Sequence, residues 1–262
     1  MNGIVELQIW QFLSVYLLLF VVLGIFLKMK LNQTKKLLLS SVMMTIQLIA
    51  AGFVLTFIFE RPHPAFTIIY LSAMLVFASY QVVSKNRKLN RKFKISIVLS
   101  LWSSGTLVLA MFVGVIVGVS IFNPQYTIPL GGMIIGNAMT GINLGMKTFT
   151  ESIATQRNKL ENLLNLGVDP KRILLPHVNQ ALETALMPTI NSMMGMGIIF
   201  LPGMMTGQIL SGTNPTTAIL YQIAIMIAIC STVCLAVFGA LIFGYRTLYN
   251  SRKQFVSFLQ ES

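Results

Sequence analysis

Charge is scarce in this sequence. Only 10% of its 262 residues are Asp, Glu, Lys or Arg, and only 7 are acidic, well short of the roughly one quarter that a soluble domain uses to stay in water. The soluble globular class is thereby excluded. Cysteine and histidine are equally sparse, with 2 of each. That excludes a disulfide framework and a Cys/His zinc site. Cys230 and Cys234 stand four apart in the last apolar run, on one helix face, and read as small packing residues. His63, in "ERPHP", reads as a loop residue and His177 as an interfacial one. The chain has no Gly-x-x-x-x-Gly-Lys-Ser/Thr, no histidine pair at ligand spacing and no Ser/His/Asp set at one depth, so no enzyme constellation is expected.

What is abundant is apolar: 55% of the residues. A bilayer-spanning helix needs about 20 of them in a row, and seven stretches qualify, at about 9–27, 37–59, 65–83, 95–122, 128–149, 173–201 and 215–245. The fold class expected is therefore all-α: one polytopic membrane domain over 1–262, embedded in lipid, with no soluble domain. The net charge of +12 is distributed rather than clustered on one nucleic-acid-binding surface. Every Lys and Arg except Arg61 falls at the end of, or after, the first, third, fifth or seventh stretch. The positive-inside rule then gives an outside N-terminus and a cytoplasmic C-terminus. No basic residue precedes the first run, which carries Glu6 before it and does not read as a cleaved signal.

Polar residues inside the runs are the functional candidates, because hydrocarbon does not solvate them. Gln47 in the second run should face another helix. The fourth run, long and glycine-containing, should tilt or kink. The fifth, "IPLGGMIIGNAMTGINLG", holds Asn137 and Asn143 and two Gly-x-x-x-Gly pairs, Gly132/Gly136 and Gly141/Gly145, that permit close helix contact. The sixth is the least lipid-like: Glu183 is its one carboxylate, Asn191 follows, and Pro188 should kink or break it. Glu183, Asn137, Asn143, Asn191 and Gln47 are the candidates to line a pathway. Packing is the competing reading for the amides, and an inner-mouth anchor for Glu183.

Two connecting segments stand out. Residues 150–172 form the longest polar stretch, with Ile153, Leu160, Leu163, Leu164 and Leu166 spaced for an amphipathic helix and Gly167 and Asp169-Pro170 supplying its stop. Such a helix is offered to a protein partner or lies on the membrane surface. On the opposite side, "PGMMTGQILS" reads as a short apolar helix, outer or re-entrant, between Pro202 and the end signal Gly212, followed by the cap Asn214 before Pro215. Pro202, Gly203, Met204, Met205 and Gly207 are candidates for an outer gate or dimer contact. Met193, Met194, Met196, Met204 and Met205 bring soft sulfur suited to Cu(I), yet methionine also fills mobile interfaces.

The segment "ENLLNLGVDPKRILLP" resembles the coupling loop of ABC-transporter permeases, with Glu161 six residues before Gly167. It departs from that pattern at Asn162 and Leu163 and in its shorter distance to Pro176. With "IPLGGMIIGNAM", "ALMPTINSMMGMGIIFLPGMMTGQILSGTNP" and "YRTLYNSRKQ", the chain is similar to the FetB family of bacterial permeases and its plant relatives linked to aluminium tolerance. The resemblance implies a permease of the bacterial cytoplasmic membrane, acting as a homodimer in iron export. A separate cytoplasmic ATPase would carry ATP and Mg and grip Glu151, Arg157, Glu161, Gly167, Asp169, Pro170 and Lys171. No cofactor is expected on this chain. A secondary transporter or channel using Glu183, and a non-transporting assembly subunit, remain as alternatives.

Overall fold

A computed structural model describes residues 8–87 and 89–249; Glu6, Lys88, Arg252 and Lys253 lie outside the described residues. The described chain is helical: α1 Ile9–Lys28, α2 Thr34–Glu60, α3 Pro64–Lys85, α4 Arg91–Met111 continued by a π-helical turn Phe112–Val117, α5 Pro124–Thr155, α6 Arg157–Asn165, α7 Pro170–Gly195, α8 Gly203–Leu210 and α9 Pro215–Tyr245, with a 3-10 turn Arg246–Leu248. Three of these start in the same way. An Asn or Asp precedes a proline at the first helical position in Asn123-Pro124, Asp169-Pro170 and Asn214-Pro215. Proline lacks only an N–H that would be unpaired there, and the Asn123 and Asn214 side chains accept from the next free amide. These three starts begin α5, α7 and α9, the helices that meet at the centre of the molecule.

The bundle core is α3, α4, α5, α7 and α9, with α1 and α2 as an outlying hairpin of which only Leu23 and Ile58 are buried. Lipid is as apolar as leucine, so helices in it are held by close contact rather than by exclusion of water. Glycine provides that contact. A Cβ on Gly141 would lie 2.6 Å from Val233, and one on Gly145 would lie 3.0 Å from Val237 and 3.3 Å from the Ala181 carbonyl oxygen. Gly131 does the same against Leu71 at 2.9 Å, Gly239 against Ser100 at 2.8 Å, and Gly244 against the Phe93 ring. Of the two expected glycine pairs, Gly141/Gly145 makes the contact with both members; in the other, a Cβ on Gly132 would lie 3.3 Å from Met74 of α3 while Gly136 has open space around it, and neighbouring Gly131 meets both α3 and α4.

Among the described residues, five helices are long and apolar enough to cross a membrane: α1, α2, α3, α4 with its π turn, and α9 with its 3-10 turn. Helices α5 and α7, of 32 and 26 residues, have the length but carry the glycines, amides and prolines, and they pack into the bundle. The ends differ from expectation for local reasons. The fourth run stops at Val117 because Gly118 turns left-handed at φ 73°, and its irregularity is the π turn. The fifth begins early, at Pro124. The sixth ends at Gly195, where Gly197 at φ 83° reverses the chain and a bridge joins Met196 to Phe200. Helix α7 runs unbroken through Pro176 and Pro188. Gln47 stands exposed on α2 instead of facing another helix of this chain.

Hydrogen bonds brace both ends of the bundle. Asn90, before α4, donates to the Thr247 carbonyl and accepts from the Thr247 hydroxyl, both at 3.2 Å. At the other end, Thr67 of α3 donates to the Phe122 carbonyl at 2.9 Å.

Candidate functional site

The seam between α5 and α7 gathers most of the polar candidates. Ser152 meets His177 and Gln180, Gly145 meets Ala181 and Ala185, and Gly141 approaches the Ala185 carbonyl. Numbers rise on one helix as they fall on the other, so the pair is antiparallel. The same register carries Lys147 to the level of Glu183 and Asn137 to the level of Asn191. Helix α9 closes one side of the seam through Val233 and Val237. At 100° per residue, Asn137, Thr140, Lys147 and Glu151 fall on the other side of α5, and Gln180, Glu183, Thr184 and Asn191 on the same side of α7. All of these are exposed except Thr184, which is half-buried.

The hydrogen bonds on this face set its chemistry. The Thr140 hydroxyl donates to the Gly136 carbonyl at 3.0 Å and the Thr184 hydroxyl to the Gln180 carbonyl at 2.8 Å; the Asn137 amide nitrogen donates to the Met133 carbonyl at 2.7 Å. Both hydroxyl donors and one of the two Asn137 N–H donors are spent on their own helices, leaving oxygen lone pairs for the open side. With the exposed Glu183 carboxylate among them, the face is rich in acceptor oxygen. Hard oxygen of this kind suits hard cations.

Asn143 is not part of this face. It is half-buried on another side of α5, and its amide oxygen, shielded from solvent, meets no hydrogen-bond partner in the chain. Gln222 of α9 is 3% exposed with both amide atoms in the same condition. Hydropathy hides such a residue, because one amide hardly lowers the average of a 31-residue apolar helix. His177 is buried at the seam, 2.6 Å from Ser152, whose hydroxyl lies 3.2 Å from the Gln180 amide oxygen.

At the basic end of the seam, α6 leans back on the bundle. Leu160 is buried, and Leu163 and Leu164 pack beside it. Ile153 belongs to α5, which also takes in Glu151, so the coupling segment is a helix end, a one-residue break at Gln156 and a short helix. Arg157 donates to Glu161 at 2.8 Å, and Lys147 lies 3.9 Å from Glu151; all four side chains are well exposed, so each pair contributes little. Gly167 sits at φ 81° and its amide donates to the Leu164 carbonyl, the left-handed stop that glycine allows. Leu166 is not on the packed face: it is 80% exposed at the tip, flanked by exposed Asp169 and Lys171, while Pro170 is buried. Tyr249, from the end of the described chain, lies at this junction. Burial, the nearby Asp169 carboxylate and Tyr245 push its phenol above the ordinary tyrosine range.

At the opposite end, α8 forms where expected, with Pro202 as its cap residue rather than its first helical one. Met205 is buried and Met204 half-buried against the core, whereas Met193 and Met194 are exposed, so the methionines divide between interior and surface. Gly203 and Gly207 are exposed. The most prominent apolar residues here lie upstream: Ile198 and Ile199, 90% and 81% exposed. Among the described residues, no group of three or more His, Cys, Asp or Glu is placed to hold a metal ion.

The model of an uncharacterised protein family, UPF0014, matches residues 9–249. The chain belongs to the UPF0014 family. Within UPF0014 it is 34% identical, over 86% of its length and 87% of the relative's, to the membrane protein slr1647 of Synechocystis. It is 32% identical, over 87% of each chain, to a protein of Escherichia coli named probable iron export permease protein FetB. Protein ALUMINUM SENSITIVE 3 of Arabidopsis thaliana is 37% identical over 69% of this chain and 65% of its own. No solved structure matches. As a UPF0014 membrane protein with several long apolar helices, the chain is a multi-pass membrane protein.

Proposed function

We propose that this chain is the membrane permease subunit of an ABC-type exporter for a hard metal cation, with iron the first candidate. Seven helices, including α5 and α7, cross the bacterial cytoplasmic membrane with the N-terminus outside. The basic end, where α1, α3, α5 and α9 finish, is then cytoplasmic. The observation that carries the reading is the acceptor-oxygen face of α5 and α7, joined at its basic end to a short helix propped outward. A cation can exchange water for oxygen ligands along such a face, which hydrocarbon could not offer. The family relationship to a protein named for iron export supports the same substrate class.

Energy comes from outside the chain. A cytoplasmic ATPase subunit, carrying ATP and Mg, docks on α6 around exposed Leu166, with Glu161, Asp169 and Lys171 at the rim. Because α6 rests on the bundle through Leu160, and only Val168 and Asp169 separate Gly167 from the start of α7 at Pro170, a push on α6 moves α7 relative to α5. That changes access to the face between them. Two copies of the chain serve one pathway.

The test is co-purification of the chain with its candidate ATPase from detergent, followed by ATP-driven cation transport in proteoliposomes. Leu166→Glu and Gly167→Val should abolish association while leaving the membrane bundle folded. Undiminished association would reject α6 as the docking helix, and ATP-independent transport by the chain alone would favour a secondary transporter.

A further inference from the structure

The open face of the α5–α7 seam is layered by depth. At the basic end are Glu151 and Lys147, the latter level with Glu183; next come the amides Asn137 and Asn191. Beyond Asn191, one turn along the same side of α7, comes Gly195, and the chain folds back on it. The Ile199 amide donates to the Gly195 carbonyl at 2.9 Å, and a Cβ on Gly195 would touch Phe200 at 3.2 Å and Ile199 at 3.4 Å. Residues 196–201 therefore stand over the end of the polar seam as an apolar tip that presents Ile198 and Ile199 outward.

Lipid cannot cover this face, because it would leave amides and charges without partners at membrane depth. A cover must match it layer by layer. Copies of one membrane protein share one orientation, so a twofold axis along the bundle brings equal depths together. Charge then stands level with charge of opposite sign, Lys147 of one copy across the water-filled pathway from Glu183 of the other. Amides stand across the pathway from amides, and only the isoleucine tips meet each other.

We infer that a second copy of this chain covers the α5–α7 face, and that the 196–201 turns of the two copies close the non-basic end of the pathway between them. The inference rests on the permease reading and names its partner surface and its outer seal. In this closed arrangement Asn137 and Glu183 lie in water open to the basic end only, beneath an apolar plug formed by four isoleucines. Opening toward the outside requires the tips to part.

The test is cysteine cross-linking of the full chain in native membranes, on a Cys230→Ala/Cys234→Ala background. Under mild oxidation Ile198→Cys and Ile199→Cys should shift from monomer to the mass of a dimer of this chain, whereas Phe53→Cys, exposed on outlying α2, should stay monomeric. Asn137→Cys should react with a water-soluble maleimide and Phe53→Cys should not. Absence of the Ile198 and Ile199 dimers, an equal Phe53 dimer, a product of another mass or an unreactive Asn137→Cys would each overturn the inference. None of these readouts uses an ATPase, so failed docking on α6 leaves them standing, and failed cross-linking leaves ATPase docking to be judged by association.

Discussion

Gly145 of α5 faces the backbone of α7 so closely that a methyl group on it would stand 3.3 Å from the Ala181 carbonyl oxygen. A side chain can swing aside, but a helical carbonyl is fixed by its own hydrogen bond. Gly145→Val should thus separate α5 from α7 and cost about 1–3 kcal/mol or more as overpacking. Gly136, with nothing within 4 Å, is the control. Gly136→Ala should be neutral or stabilising by up to about 1 kcal/mol through helix propensity. Thermal unfolding in one detergent checks both, and equal losses would contradict the packing described.

Ser152 and His177 form the polar lock of the same seam. Ser152→Ala leaves the buried His177 ring without its partner, and about 1–3 kcal/mol is the usual cost of such an orphan, whereas half-buried Ser152 keeps its Gln180 contact when His177 is removed. Ser152→Ala and His177→Leu should each destabilise the chain, while the double variant should lose clearly less than the sum. A double-mutant cycle by thermal unfolding measures the difference; strict additivity would mean the 2.6 Å contact has no energetic weight.

Tyr249 gives a pH dependence with a definite sign. Its phenol is held above the ordinary range by burial and by Asp169, so above the unfolded value of about 10 the unfolded chain releases a proton that the folded chain keeps. Stability should be intact below that pH and fall as pH rises through it. Tyr249→Phe should remove this part of the alkaline loss. The measurement is the difference between the two proteins' unfolding temperatures at neutral pH and above pH 10; a constant difference would refute it.

The helices were legible in the sequence because span length and Asx-Pro starts are local properties, as at Asn123-Pro124 and Asn214-Pro215. The layered face was only half legible. Glu183, Asn137 and Asn191 announce themselves as polar groups in apolar runs, but their shared side depends on the antiparallel register set by Gly141 and Gly145, which no single helix contains. Gln47 and Asn143 look the same in sequence, yet one is exposed on α2 and the other half-buried elsewhere on α5. Gly239 and Gly244 were invisible as contacts because their partners, Ser100 and Phe93, lie far away in the chain. Ile198 and Ile199 passed for the end of a span until the left-handed turn at Gly197 put them outside it.

Glu183 separates the cation reading from a purely structural one. Its side chain is exposed on the seam, and among the described residues no Lys, Arg or His lies within ion-pair distance of it. Neutralising it should therefore hardly change stability, within about 0.5 kcal/mol. Its effect on a passing cation is different, since a charge-assisted contact is worth about 1.5–3 kcal/mol, which corresponds to roughly tenfold or more in affinity. Glu183→Gln in proteoliposomes containing the ATPase should raise the half-saturating cation concentration by that factor, at unchanged unfolding temperature and unchanged ATPase association. Glu183→Asp, which keeps the charge on a shorter arm, should recover part of the loss. If Glu183→Gln instead transports normally, the carboxylate is not a cation ligand on the pathway. If it loses stability along with transport, Glu183 is part of the packing and the oxygen face must be assigned to Asn137, Thr140 and Asn191 alone.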